Sequence, residues 1–119
     1  MTTRLLETTA LEAALTRFAE ERDWPRYHTP RNLVLALTGE VGELAEIFQW
    51  LTDDEAARLR EDPSRFTHLQ EEMADVLLYL MRLATVMGVD MNAAVADKLV
   101  KNARKYPPPA ADLSQDKQP

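Results

Sequence analysis

The sequence predicts an all-α fold, a helical bundle of four main helices plus a short connecting helix, assembling as an oligomer. Apolar residues recur at three- and four-residue intervals and nothing alternates with period two for long. Glycine occurs only at positions 39, 42 and 88, which disfavours a turn-rich sheet protein. Helix-starting and helix-stopping residues also fall at regular places. The first helix begins near Thr9, where Thr9 and Glu12 have the spacing of a capping box. It turns Leu11, Leu15, Phe18 and Ala19 inward and ends before Trp24-Pro25, because proline restricts the residue before it. Tyr27 to Thr29 reads as a connecting loop. Thr29-Pro30 opens a second helix running to about Leu51, with proline tolerated in the first helical position.

Thr52 and Glu55 repeat the capping spacing and open a short helix through Arg60, stopped before Pro63. Ser64 is placed to cap a long fourth helix reaching Met87, and Gly88 to close it. Asp90 is placed to cap a fifth, from Met91 to about Lys105, ended by three consecutive prolines. Residues 1–106 thus read as one domain, and 107–119 as a Pro-rich, polar, disordered tail. The second helix offers Leu33, Val34, Leu35, Leu37, Val41, Leu44, Ile47 and Phe48, so it is apolar on more than one face. The fourth, rich in Leu, Met and Val from Leu69 to Val86, is apolar all round in the same way. A surface helix needs a single apolar stripe, so the surplus predicts a homo-oligomer.

Composition narrows the function. The 119 residues carry 14 Lys and Arg against 20 Asp and Glu, a net charge of −6. That balance argues against nucleic acid or an anionic membrane as partner. The chain has no cysteine, which excludes disulfides, zinc-thiolate sites and thiol catalysis. Its longest apolar runs, such as Val76 to Met81, are far short of a membrane span. Glu7 and Glu12 stand where a signal peptide would be apolar, so the expected compartment is the cytoplasm.

The informative feature is the placing of the acids. Glu40, Glu43 and Glu46 fall inside the apolar second helix, and Glu72 and Asp75 inside the fourth. Residues three apart on a helix are offset by about 60° around the axis and about 4.5 Å along it. Glu40 and Glu43 therefore share a face, as do Glu72 and Asp75, and antiparallel packing would bring all four to one point. No Lys or Arg lies between Arg31 and Arg58, or between Arg65 and Arg82, so none of these acids has such a partner one turn away. Unpaired clustered carboxylates destabilise a fold unless a cation joins them. All-oxygen ligands point to Mg²⁺, with Mn²⁺ as a substitute. The competing reading is that the acids are the solvated faces of two ordinary helices.

A ferritin-like Glu-x-x-His pair, an EF-hand and a Gly-rich phosphate loop are all missing, and the two serines do not suit a triad. Lys98, Asn102 and Lys105, at i, i+4 and i+7 with Tyr106 just beyond, are candidates for holding phosphate. They serve equally as a basic helix end complementing the macrodipole. Trp24, Tyr27 and His28 lie in the first loop, Trp50 at the end of the second helix, and Tyr79 one turn past Asp75. Each taken singly reads as core or hinge packing. Beside a metal–phosphate centre, flat aromatic faces are also what stacking a nucleobase requires.

The segment Glu40-Val-Gly-Glu43-Leu-Ala-Glu46, followed by Glu71-Glu72-Met-Ala-Asp75, resembles the ExxE…ExxD motif of all-α MazG-like nucleoside triphosphate pyrophosphohydrolases. The longer strings ERDWPRYHTPRNLVLALTGEVGELAEIFQW and LQEEMADVLLYLMRLA are similar to the dCTP pyrophosphatase subfamily. The likeness covers roughly residues 10–107, weakest in the last helix. It implies metal ligands at Glu40, Glu43, Glu72 and Asp75, base contacts at Trp24, His28, Trp50 and Tyr79, and phosphate contacts at Lys98, Asn102, Lys105 and Tyr106. Some relatives carry a histidine where this chain has Leu15, so base selectivity is expected to differ. The implied reaction is Mg²⁺-dependent hydrolysis of a (deoxy)nucleoside triphosphate to monophosphate and pyrophosphate, with Glu43 or Glu46 orienting or deprotonating water. Relatives of this fold form tetramers, or dimers of dimers, with sites completed near subunit interfaces. The alternatives are a helical module that binds nucleotide or metal without turnover, and a pure oligomerisation domain.

Overall fold

The computed structural model describes residues 4–110. It contains α1 (Thr9–Glu21), α2 (Pro30–Phe48), α3 (Asp53–Ala57), α4 (Pro63–Met87) and α5 (Met91–Lys105), with no strand among the described residues. One-turn 3₁₀ segments occupy Pro25–Tyr27 and Leu59–Glu61. The expected tail falls mostly on residues 111–119, outside the described residues; 107–110 carry no regular structure.

Most helix ends obey local chemistry visible in the sequence. The Thr29 hydroxyl accepts from the Asn32 N–H and Pro30 fills the first turn of α2. Thr52 and Glu55 form a complete capping box on α3. Asp90 accepts from the Ala93 N–H at the start of α5. Gly88 closes α4 at φ +70°, in the left-handed region. Three expectations are corrected. Thr8, not Thr9, precedes α1, and the Thr9 N–H instead donates to the Glu7 carboxylate at 2.8 Å. Asp62, not Ser64, caps α4, because Pro63 suits the first helical position and leaves Asp62 to accept from the Arg65 N–H. Tyr27 closes a one-turn 3₁₀ segment, leaving His28 and Thr29 as the irregular connection, and Arg60 belongs to a second such turn beyond α3.

The body is a pair of long helices with a third against them. α2 and α4 pack along their lengths, and α1 lies on α4. The pair is antiparallel: Glu43 and Glu46 share a cleft with Ser64 and His68, while Pro30 and Val34 meet Leu83, Ala84 and Met87 at the opposite end. The core is small, with Leu33 and Met81 fully buried and Ala19, Leu59 and Ala84 nearly so. Val34, Leu35, Val41, Met73 and Leu77 remain exposed, which is the surplus apolar face expected of α2 and α4. α5 makes only marginal contact with the other helices. Its tie to the body is Asn92, whose Oδ1 accepts from the N–H groups of Leu5 and Leu6 at 2.9 Å. The Cα radius of gyration is accordingly 18.5 Å, against about 13 Å for a compact chain of 100 residues.

Candidate active site

The antiparallel α2–α4 pair brings three of the four expected acids together. Carboxylate oxygens of Glu40, Glu43 and Glu72 all lie within 4.8 Å of one another. Glu72 is largely enclosed, its side chain 12% exposed, and Glu40 is half-buried. Oε2 of each is shut away from solvent with no hydrogen-bond partner. Buried polar atoms are normally paired, so two orphaned oxygens in one cluster mark a place for a guest.

The electrostatics agree. Partial burial pushes the Glu40 carboxyl up to about 7, reinforced by the close approach and charge of Glu43 and by the charges of Asp75 and Glu72. Glu72 is raised by burial first, then by Glu43 and Asp75, against an opposing pull from His68. His68 Nε2 lies 4.0 Å from the Glu72 carboxylate, and no Lys or Arg ion pair to the three acids occurs among the described residues. A doubly charged, hard cation suits this cluster: the donors are all carboxylate oxygens, two are unsatisfied, and neighbouring negative charge has nowhere else to go. The residues therefore fit Mg²⁺ or Mn²⁺.

Asp75 stands apart from the tight trio. It is close enough to raise Glu40 and Glu72, yet it lines a neighbouring cavity of about 440 Å³ between α1 and α4. That cavity is walled by Leu11, Leu15, Phe18, Trp24, His28 and Tyr79, with Arg82 at its edge. The Phe18 and Trp24 rings meet edge to face at 5.5 Å, and those of Trp24 and His28 lie tilted at 5.9 Å. Its aromatic walls and volume are those of a pocket for a flat heteroaromatic ring. Leu15 presents an aliphatic side chain to this space. On the other side of Glu43 and Glu72 opens a cleft of about 770 Å³, lined by Glu46, Ser64, Arg65 and His68.

The candidates named from sequence therefore divide. Glu40, Glu43, Glu46, Glu72, Asp75, Trp24, His28 and Tyr79 converge on two adjoining hollows. Trp50 does not: it is 86% exposed and lines neither. Nor do Lys98, Asn102, Lys105 and Tyr106, which ride on α5 away from the body of their own chain. Their spacing holds, but helical spacing fixes a shared face and not what that face meets. Sequence reasoning missed Arg65, His68 and Arg82. His68 sits one turn before Glu72, and Arg82 shares the face of Asp75, Leu78 and Tyr79; both were legible at i+4 and i+7 spacing.

The sequence profile described as the MazG-like family matches residues 36–118. The dCTP pyrophosphatase 1 of Homo sapiens is 52% identical over 100 residues, covering 84% of this chain and 59% of that protein. The dCTP pyrophosphatase 1 of Bos taurus is 52% identical over 90 residues, covering 76% of this chain and 53% of that protein. The chain thus spans little more than half the length of these relatives. A pyrophosphatase of known crystal structure from Archaeoglobus fulgidus superposes with a TM-score of 0.76 at 38% identity, covering 91% of this chain and 99% of that one.

Proposed function

The chain belongs to the MazG-like family, and from that premise we propose that it hydrolyses a (deoxy)nucleoside triphosphate, dCTP or a modified dCTP, to monophosphate and pyrophosphate. The observation that carries the reading is the adjacency of two unlike hollows, an acidic cluster with orphaned oxygens and an aromatic cavity, joined by Asp75. A nucleotide has the same two halves in the same order: a flat base and a polyanion. The relatives' names, dCTP pyrophosphatase 1, favour cytosine as the base.

Glu40, Glu43, Glu72 and Asp75 would hold Mg²⁺ or Mn²⁺. Bound there, the cation supplies positive charge that polarises phosphate oxygens and lowers the pKa of water. The chain's own residues do the rest. Trp24, His28 and Tyr79 grip the base and set the distance from the cavity to the acids. Glu46, on the cleft wall beside Glu43, orients or deprotonates the attacking water. Phosphoryl transfer asks chiefly for positioning and charge neutralisation, and a rigid pair of long helices supplies the first.

The phosphate-holding cations and Trp50 serve a neighbouring protomer in this reading. The chain assembles as a homotetramer, a dimer of dimers, in which α5 carries Lys98, Asn102, Lys105 and Tyr106 to another copy's acids. The exposed apolar faces of α2 and α4 and the marginal packing of α5 support it. The test is direct: the full chain with Mg²⁺ and a panel of common and modified triphosphates, read by release of pyrophosphate. Equal amounts of dCMP and pyrophosphate are expected from dCTP. Tight Mg-dCTP binding by calorimetry with no product after long incubation would instead make the protein a nucleotide-binding module.

A further inference from the structure

Arg82 is 8% exposed, yet among the described residues it forms no ion pair with a carboxylate. A buried guanidinium ordinarily seeks one. Asp75 lines the same cavity, but Arg82 directs its Nε–H to His28 Nδ1 at 2.9 Å and its Nη1 to the Thr16 hydroxyl at 3.4 Å. An arginine only donates hydrogen bonds, so Nδ1 of His28 must accept. The ring's proton is thereby confined to Nε2. Partial burial and the charge of Arg82 also hold the imidazole below its ordinary range, which favours its neutral form.

Resting on the proposed reaction, we propose that Arg82 is a positioning residue that clamps His28 as the Nε2–H tautomer, so that the cavity reads hydrogen-bond acceptors on the edge of a base. Without the clamp, His28 could turn either a donor or an acceptor toward the ring in the cavity. With it, His28 has a donor alone to offer. Asp75 and Arg82 also line the cavity, and Trp24 and Tyr79 carry polar atoms, so a donor fixed at His28 Nε2 adds one defined element to base choice.

The chain has two histidines, so a long-range ¹H–¹⁵N spectrum of the labelled full chain, with His28→Gln for assignment, reports both rings. His28 is expected with Nδ1 unprotonated and Nε2 protonated; a protonated Nδ1, or an even mixture, overturns the proposal. In Arg82→Met the second tautomer should emerge and KM for dCTP rise about tenfold, with kcat changed less than twofold. An unchanged tautomer in that variant would make Arg82 merely a packing residue. Arg82→Lys, which keeps a charged donor on a long stem, should keep much of the wild-type spectrum. The wild-type spectrum decides the matter even if Arg82→Met fails to fold. In a His28→Gln background, where the amide donates unaided, Arg82→Met should add less than twofold to KM; a full second tenfold loss would refute action through His28. An Nε2–H ring in a chain that turns over no triphosphate would sink the reaction and leave the clamp standing. Full turnover with a protonated Nδ1 would do the reverse.

Discussion

The body formed by α1, α2 and α4 and the arm formed by α5 hold opposite charges and opposite degrees of completeness. The body gathers the carboxylates of Glu40, Glu43 and Glu72 within 4.8 Å of one another and raises the proton affinity of Glu40 and Glu72. The arm ends in Arg104 and Lys105, with Lys98 and Lys101 before them, and lies almost free of the body. Even its Lys101 turns inward to its own helix, pairing with Asp97 at 2.8 Å. The lesson is that the acidic cluster and the aromatic cavity are complete within one chain, whereas the basic stripe of α5 lies apart from both.

Removing a ligand should break the body most severely. Glu43→Gln is expected to cut turnover on the order of 10³-fold while circular dichroism stays wild type. Activity within a few-fold of wild type would take Glu43 out of the mechanism. The arm should come next. Lys98→Ala with Lys105→Ala is expected to raise KM on the order of 10–100-fold with little change in thermal stability. Co-expressing that variant with Glu43→Gln sharpens the comparison, because mixed assemblies should recover turnover that neither has alone. Failure to recover any would mean that arm and body do not meet across protomers.

Two smaller effects concern the body alone. Adding Mg²⁺ at about 100 times its Kd supplies roughly 2.7 kcal/mol by linkage, enough to raise Tm by roughly 10 °C. A Tm indifferent to Mg²⁺ and Mn²⁺ would return the acids to ordinary solvated faces. Without metal, pH should reveal the crowding. The folded chain holds the Glu40 proton more tightly than the unfolded chain does, so stability from this group is full below about 4.5 and declines as pH rises to about 7. The wild type should lose more Tm than Glu40→Gln across that window, and Mg²⁺ should erase the difference. Equal slopes in the two proteins would show that Glu40 is not crowded.

The body was largely legible in the sequence because its information is local. Thr29, Thr52, Gly88 and Asp90 act within four residues of themselves, and each ends or starts a helix as its chemistry requires. The acids were legible because i, i+3 spacing fixes a shared face and antiparallel pairing then fixes the meeting point. Asp75 faces both hollows, acting on Glu40 by its charge while lining the aromatic cavity, a double exposure that helical spacing alone does not show. Trp50 and the α5 stripe were beyond reach: whether an exposed side chain meets a partner depends on association, which no spacing within one helix encodes. The face that Arg82 occupies was legible from its spacing to Asp75 and Leu78, but what it holds was not, because Thr16 and His28 lie 66 and 54 residues away in the chain.

Gly88 bears on all of this from outside both hollows. Its N–H and that of Val89 are tied back to Thr85 and Ala84 at 3.2 and 2.8 Å, so the bend after α4 is latched. Any side chain there would meet open space but would have to adopt a backbone costing roughly 1–2 kcal/mol. A lone β-carbon at this position would therefore strain the pivot from which all fifteen residues of α5 take their heading.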